Sequence, residues 1–317
     1  MHAPTKLGTS APMSSSSLAN LPVRLRRSVL SVPAINPRAL AKVPDLDCDV
    51  VIFDLEDSVA PEKKGEAREN LRRFFADVSD LHGKECVIRI NGHDTGFAAD
   101  DMAAVIACRP DAVLLPKVDG PQDVEQVADL LAEADAPEHL RIWAMMETPL
   151  GVLNAAAIAR TGRTDGARLD CLVVGLNDLR KATGVPAEPG RTFLVPWLMQ
   201  VVLAARAFGL DVIDSVSNDF RDIAAFEAEC RQGRSMGFDG KMLIHPAQIA
   251  PANWNFGPSA EEIADAQAIV EVFADPAAAG LNVVNSGGRM IERLHLEQAR
   301  RLLTKVRTIQ DGKGNSA

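Results

Sequence analysis

Eight short runs with strand character recur between residues 27 and 245, each followed by a stretch of helical period. The runs are 28–32, 50–54, 87–90, 112–116, 142–146, 171–175, 212–215 and 241–244. Several are continuously apolar (VVIF, AVLL, CLVV), as strands buried on both faces should be. Between them, residues 62–76 (EKKGEARENLRRFFA) carry apolar positions at helical spacing. The stretches 121–134 and 149–160 each open on a proline, which suits a first helical turn, and 193–208 and 220–236 continue the pattern. Eight β-α repeats in ~220 residues predict an α/β fold closed into a (β/α)8 TIM barrel rather than an open doubly wound sheet. No G-x-G-x-x-G follows an early strand, so a dinucleotide-binding fold has no support.

After His245 the rhythm changes. Residues 259–273 (SAEEIADAQAIVEVF) read as an acidic helix, with Ser259 at its start and Glu262 three residues on as a capping box. A small-residue loop at 275–280, a short stretch at 281–288 and a last helix at 290–309 follow. A barrel does not need this piece, which must pack on its own barrel or on a neighbour's. At the other end, residues 1–20 are rich in Ser, Pro and Ala, with serines at 14–17 and no periodic apolar face. Such a stretch cannot bury enough surface to order itself. It lacks the apolar core of a secretory signal; it also lacks arginine and an amphipathic pattern, which argues against a mitochondrial transit peptide. The expected division is a disordered tail at 1–22, the barrel at 23–258 and a C-terminal helical segment at 259–317.

Lys and Arg number 34 against 43 Asp and Glu, a formal charge of −9. Nucleic acid and anionic membranes are therefore excluded as whole-chain partners, which leaves room for a local basic pocket. No apolar run of 18 residues could span a membrane. Five cysteines, an odd number with no C-x-x-C, read as reduced core thiols of a cytoplasmic protein. Tyrosine is absent, so no phenol serves as acid, base or nucleophile.

Catalytic groups of such barrels lie at the C-terminal ends of strands. Here nearly every candidate strand ends in polar residues: Asp54-Leu55-Glu56-Asp57, Arg89-Ile90-Asn91, Pro116-Lys117, Glu147-Thr148, Asn177-Asp178, Asp214-Ser215 and His245-Pro246. Glu147 and Asp178 end adjacent strands with no Cys or His cluster nearby. Oxygen-only ligation suits Mg²⁺ and disfavours zinc. The competing role is structural, with Glu147 capping the helix that begins at Pro149 and Asp178 capping the next turn. Arg89 emerges from an apolar strand and must meet anions: Asp54 or Asp57, or a substrate carboxylate. His245 reads better as a hydrogen-bonded structural residue than as a base. Lys117 is open to phosphate binding, Schiff-base formation or simple solvation; Pro116 and Asp119 beside it argue against the Schiff base, which needs a lowered pKa.

The segments RRSVLSVPAINPRALAKV (26–43), DVVIFDLEDSVAPEKKGEAR (49–68), VIRING (87–92), AVLLPKV (112–118), MMETPLGV (145–152), GLNDL (175–179), GFDGKMLIHPAQI (237–249) and GRMIERLHLEQARRLL (288–303) occur in order over most of the chain. Together they resemble the citrate lyase β-subunit-like family of CoA-ester lyases, within the wider HpcH/HpaI aldolase/citrate lyase group. The resemblance implies a TIM barrel with a C-terminal appendage, Mg²⁺ as cofactor, a CoA thioester as substrate, and a homo-oligomer, trimer or hexamer. It implies Glu147 and Asp178 as metal ligands, and Arg89 as the arginine facing substrate oxygens. Asp54 and Glu56 match the acidic cluster orienting that arginine and water near the metal. Arg38 and Lys42 fall where basic groups approach the CoA phosphates, while Lys241 and His245 fall in a motif read as architectural. One position departs: Glu292 stands in G-x-M-I-E where relatives carry Asp in G-x-M-I-D, on a segment that reaches an adjacent subunit's site. The extra methylene moves the carboxylate, and a misplacement of ~1 Å can cost ~10²-fold in rate. Glu292 is either the acid/base of a retuned site or a position that has lost the role.

The implied reaction is retro-Claisen cleavage of malyl-CoA or citramalyl-CoA to acetyl-CoA and glyoxylate or pyruvate. Mg²⁺ would chelate the substrate carboxylate and hydroxyl, Glu292 of a neighbouring chain or a water would take the proton, and Arg89 would stabilise the oxyanion. Three rivals stand beside it. A citrate lyase β subunit would act on a carrier-bound citryl thioester and co-purify with its partner subunits. A malyl-CoA thioesterase would release malate and free CoA. A CoA-ester-binding barrel would show no turnover.

Overall fold

The computed structural model describes residues 24–78, 80–164, 166–275, 278, 280–286 and 288–314. The expected tail at 1–22 and the chain end at 315–317 lie outside the described residues.

All eight expected strands form. They are β1 (Ser28–Pro33), β2 (Val50–Asp54), β3 (Glu85–Arg89), β4 (Ala112–Leu115), β5 (Arg141–Met146), β6 (Leu169–Val174), β7 (Asp211–Asp214) and β8 (Gly240–Leu243). Each pairs in parallel with its sequence neighbours, and β8 closes on β1. The two-residue period of a strand sorts the side chains into two cores. Val29, Val50, Ile52, Val87, Leu114, Trp143, Met145, Val173 and Met242 point inward and fill the barrel. The alternate residues, such as Leu30, Val51, Phe53, Ile88 and Leu172, meet the surrounding helices. This double burial is why the strands read as continuous apolar runs.

The floor of the barrel is plugged by Arg26, whose side chain is 1% exposed. Its guanidinium reaches Glu85 at 2.7 Å, Asp211 at 2.8 Å and Asp170 at 2.5 Å, and lies 4.7 Å from the centre of the Trp143 ring. Gly240 lets β8 start hard against this plug, because a Cβ there would sit 1.8 Å from the Arg26 carbonyl oxygen.

The appendage differs from expectation in one element. The helix Ala260–Ala274 starts with the anticipated reciprocal cap, Ser259 Oγ accepting from Glu262 N–H at 3.1 Å and the Glu262 carboxylate accepting from Ser259 N–H at 2.7 Å. The last helix runs Arg293–Gly314, not from residue 290. Before it, β9 (Val283–Ser286) and β10 (Arg289–Glu292) form an antiparallel hairpin. The β-branched Val283, Val284 and Ile291 favour strands, and Gly288 at φ +81 supplies the turn. The appendage is anchored where Glu262 takes both Nη2 hydrogen bonds of Arg234, at 2.6 and 2.7 Å, and where Lys305 approaches Asp239 at 4.0 Å. Arg234 ends the helix Ile223–Met236 and Asp239 immediately precedes β8, so this anchorage lies at the N-terminal end of the barrel.

Candidate active site

A cavity of about 380 Å³ opens at the C-terminal ends of the strands. The inward period that fills the barrel with Val50 and Ile52 brings Asp54 to its rim; by the same count Val87 is followed by Arg89, and Trp143 and Met145 by Glu147. Asp178 comes from the first turn of the helix Leu176–Thr183, directly after β6. Asp54 and Arg89 are register partners on neighbouring strands.

Arg89 makes a two-pronged contact with Asp54, at 2.7 Å from Nε and 2.6 Å from Nη2. Its Nη1 lies 3.0 Å from Glu56 and 3.7 Å from Asp57. Burial works to raise the Asp54 carboxyl, but the Arg89 charge and hydrogen bonds outweigh it and hold the group below its ordinary value. The arginine is thus fixed by acids of its own chain while still lining the cavity. Lys117 closes the chain of charges through an ion pair to Glu56. Burial lowers its pKa and Glu56 more than reverses this, so the ammonium is stabilised. That is the wrong direction for a Schiff-base amine, and the residue is a counter-ion.

Glu147 is buried, at 2% exposure, and no cation among the described residues pairs with it. Its Oε1 accepts the Lys117 N–H at 2.8 Å, a bond made available by the left-handed backbone of Lys117 (φ +51). Burial, with the charge of Glu56 next, pushes the carboxyl up to about 8. Gly175 makes room for it: a Cβ there would meet Glu147 Oε2 at 2.5 Å. Neither metal candidate takes the competing capping role. Thr148 caps the helix Pro149–Leu153, its hydroxyl accepting from Gly151 N–H at 2.9 Å, and Gly175 occupies the cap position ahead of Asp178.

Among the described residues, four carboxylates (Asp54, Asp57, Glu147 and Asp178) therefore line the cavity with one cation, Arg89, while Glu56, Lys117 and the buried Lys64 stand behind this lining. A buried carboxylate without a cationic partner, next to a second carboxylate, fits a divalent cation. Among the described residues no three His, Cys, Asp or Glu side chains converge as a complete metal cage. Mg²⁺ needs none, since one or two carboxylates, waters and substrate complete its shell.

The opposite wall, from β7, β8 and β1, is uncharged: Ser31, Pro33, Ser215, Val216, Met242 and Ile244. Of the expected polar pair Asp214-Ser215, only the serine faces the cavity. Asp214 turns outward into a buried network with Arg191 at 2.7 Å and Lys241 at 3.2 Å. Lys241 is thus architectural, and His245 behaves likewise: its Nδ1 accepts Ala247 N–H at 3.1 Å, and its ring stacks on Phe220 at 4.5 Å. Sequence reasoning missed Ser31, although its inward parity on β1 was countable. Three expected residues stand apart. Arg38 and Lys42 are exposed on or just after the short helix Pro37–Leu40 and do not line the cavity. Glu292 is exposed at the end of β10, its N–H donating to His295 Nδ1 at 3.0 Å, and also does not line the cavity.

Residues 27–246 match the HpcH/HpaI aldolase/citrate lyase family. The chain is 43% identical over 283 residues to a (3S)-malyl-CoA thioesterase of Cereibacter sphaeroides, covering 89% of this chain and 95% of the relative. It is 33% identical over 296 residues to the mitochondrial citramalyl-CoA lyase of Homo sapiens, covering 90% and 87%. Among solved structures, the CitE protein of Mycobacterium tuberculosis in complex with magnesium, acetoacetate and coenzyme A superposes with a TM-score of 0.69 at 29% identity, covering 88% of this chain and 97% of that one.

Proposed function

The chain belongs to the HpcH/HpaI aldolase/citrate lyase family, and from that premise we propose that it is a Mg²⁺-dependent enzyme cleaving malyl-CoA or citramalyl-CoA to acetyl-CoA and a 2-oxoacid. The observation that carries this reading is the charge imbalance of the cavity lining, four carboxylates against Arg89, with Glu147 buried and in no ion pair among the described residues. An anionic hydroxyacid cannot enter such a site unless a divalent cation offsets it.

Glu147 and Asp178 would hold the Mg²⁺, as the magnesium in the Mycobacterium tuberculosis structure supports for the family. When bound, the cation supplies Lewis-acid polarisation of the substrate's hydroxyl and carboxylate oxygens. Lys117 holds Glu147 in place through its N–H. Asp54 and Glu56 clamp Arg89, so its positive charge stands ready beside the oxygen that becomes a carbonyl. The substrate hydroxyl loses its proton, the bond between its carbon and the thioester α-carbon breaks, and the α-carbon takes up a proton to give acetyl-CoA. Among the described residues no histidine or cysteine lines the cavity to act as the base. Glu292 of a neighbouring copy is the acid/base in this reading, within a homo-oligomer, trimer or hexamer. The exposed Arg38 and Lys42 contact the CoA phosphates.

A second reading, hydrolysis of the thioester, is favoured by the 43% identity to a malyl-CoA thioesterase. Incubation of the purified protein with malyl-CoA and citramalyl-CoA in Mg²⁺, with products identified by mass, separates the two. Acetyl-CoA with glyoxylate or pyruvate is expected. Malate or citramalate with free CoA supports hydrolysis instead, and no product from either thioester rejects both.

A further inference from the structure

A barrel interior is normally filled by bulky branched residues, and inward positions of β1 and its neighbours follow that rule at Val29, Val50, Ile52 and Met242. Ser31 breaks it. It lies inward on β1, in register with Ile52 of β2, lines the cavity, and its hydroxyl has no hydrogen-bond partner among the described residues. Ser215, just beyond β7, is the second exception. It is 1% exposed, and its Oγ accepts the Leu176 N–H at 2.9 Å, which leaves its own O–H free to donate. The two hydroxyls flank β8, whose Met242 and Ile244 contribute only apolar surface between them. The uncharged wall thus carries two neutral donors facing a wall of acids.

That division matches the two ends of a β-hydroxyacyl thioester. The carboxylate and hydroxyl belong with the cation and Arg89. The thioester carbonyl is neutral in the ground state and carries negative charge during reaction, so it calls for neutral donors away from the acids. Resting on the thioester reading above, we propose that Ser31 and Ser215 form the subsite for the thioester carbonyl oxygen, donating hydrogen bonds that strengthen as charge develops there. In carbon–carbon cleavage the electron pair of the breaking bond moves onto this oxygen, and returns when the α-carbon is protonated. In hydrolysis a water oxygen adds to the carbonyl carbon, and the same oxygen holds the charge until the CoA thiolate leaves and is protonated. The serines transfer no proton in either case, so the subsite serves both reactions.

Ser31→Ala removes a hydroxyl that bonds nothing among the described residues. It is expected to lower kcat on malyl-CoA on the order of 10- to 100-fold while leaving the thermal midpoint and the calorimetric Kd for Mg²⁺ unchanged. Ser31→Thr, which keeps the hydroxyl, is expected to retain most of the turnover. The double variant Ser31→Ala/Ser215→Ala should lose more than either single change. A kcat for Ser31→Ala within about twofold of wild type overturns the proposal, as does a loss matched by an equal loss of Mg²⁺ affinity. Product identity in the wild-type assay is read separately. A wild-type protein inactive on both thioesters sinks the thioester reading itself, whereas an active wild type with an unaffected Ser31→Ala sinks only this subsite.

Discussion

Glu147 carries the sharpest expectation at the scale of single residues. Its carboxyl is raised from an ordinary value of 4.5 to about 8 by burial. The unfolded chain releases this proton near 4.5, whereas the folded, metal-free chain keeps it to about 8. Between those values the folded state binds more protons, so this group makes stability fall as pH rises. Mg²⁺ binds only the ionised form, so its stabilising effect should grow over the same window. Thermal melts at pH 6 and pH 8.5, with Mg²⁺ or with EDTA, should show a larger Mg²⁺-induced rise at the higher pH. Glu147→Gln should remove that difference, and a Mg²⁺ effect independent of pH would count against the assignment. Asp178→Ala should abolish turnover and weaken Mg²⁺ binding with the barrel still folded, because the residue sits on the rim. Arg89→Lys keeps the charge but loses the planar fork that grips Asp54 through two nitrogens. A fall of at least tenfold in kcat/KM is expected; a change of only a few-fold would reduce Arg89 to an ion-pair partner. Arg89 and Glu147 were legible because a charge ending an apolar run is conspicuous and its inward direction follows from counting by two, whereas Asp178, in the first turn of a helix, was legible only as a polar residue just past a strand. Ser31 was not, since a small residue inside VLSVP looks like background, and its meaning depends on the empty space beside it.

At the scale of elements, the strands were readable for a physical reason that the hairpin lacks. Burial on both faces makes a barrel strand apolar at every position, whereas β9 and β10 form a two-stranded sheet that leaves Val283 and Met290 exposed. Ile291 and Leu294 stand three apart, a helical spacing that the structure does not use until residue 293. What the sequence could show was the start of the helix Ala260–Ala274, because a capping box is a local rule. Ser259→Ala should cost about 1 kcal/mol of local stability. Hydrogen exchange should then speed up in that helix and the hairpin while the barrel strands keep their protection. Equal acceleration in both would mean that the appendage and barrel unfold as one unit.

The whole molecule places Glu292 and the carboxylates Glu147 and Asp178 on parts of the chain that do not meet in one copy. The appendage holds to the barrel through Arg234 and Glu262 at the foot, while the cavity opens at the other end. If a neighbouring copy supplies Glu292, mixed oligomers of Asp178→Ala and Glu292→Gln chains should recover part of the activity that each lacks alone, because one interface pairs an intact metal site with an intact Glu292. No recovery in demonstrably mixed oligomers, or full activity in the Glu292→Gln homomer, rejects the shared site. The Arg26 plug adds a constraint on traffic. With Glu85, Asp170 and Asp211 closing on that guanidinium beneath Trp143, the barrel is a flask stoppered at its base. Among the described residues this leaves the mouth at the rim as the way in and out for any ligand of the cavity. If a neighbouring copy caps that mouth, it also detains the products, and opening at the rim rather than bond cleavage would then set the pace of turnover.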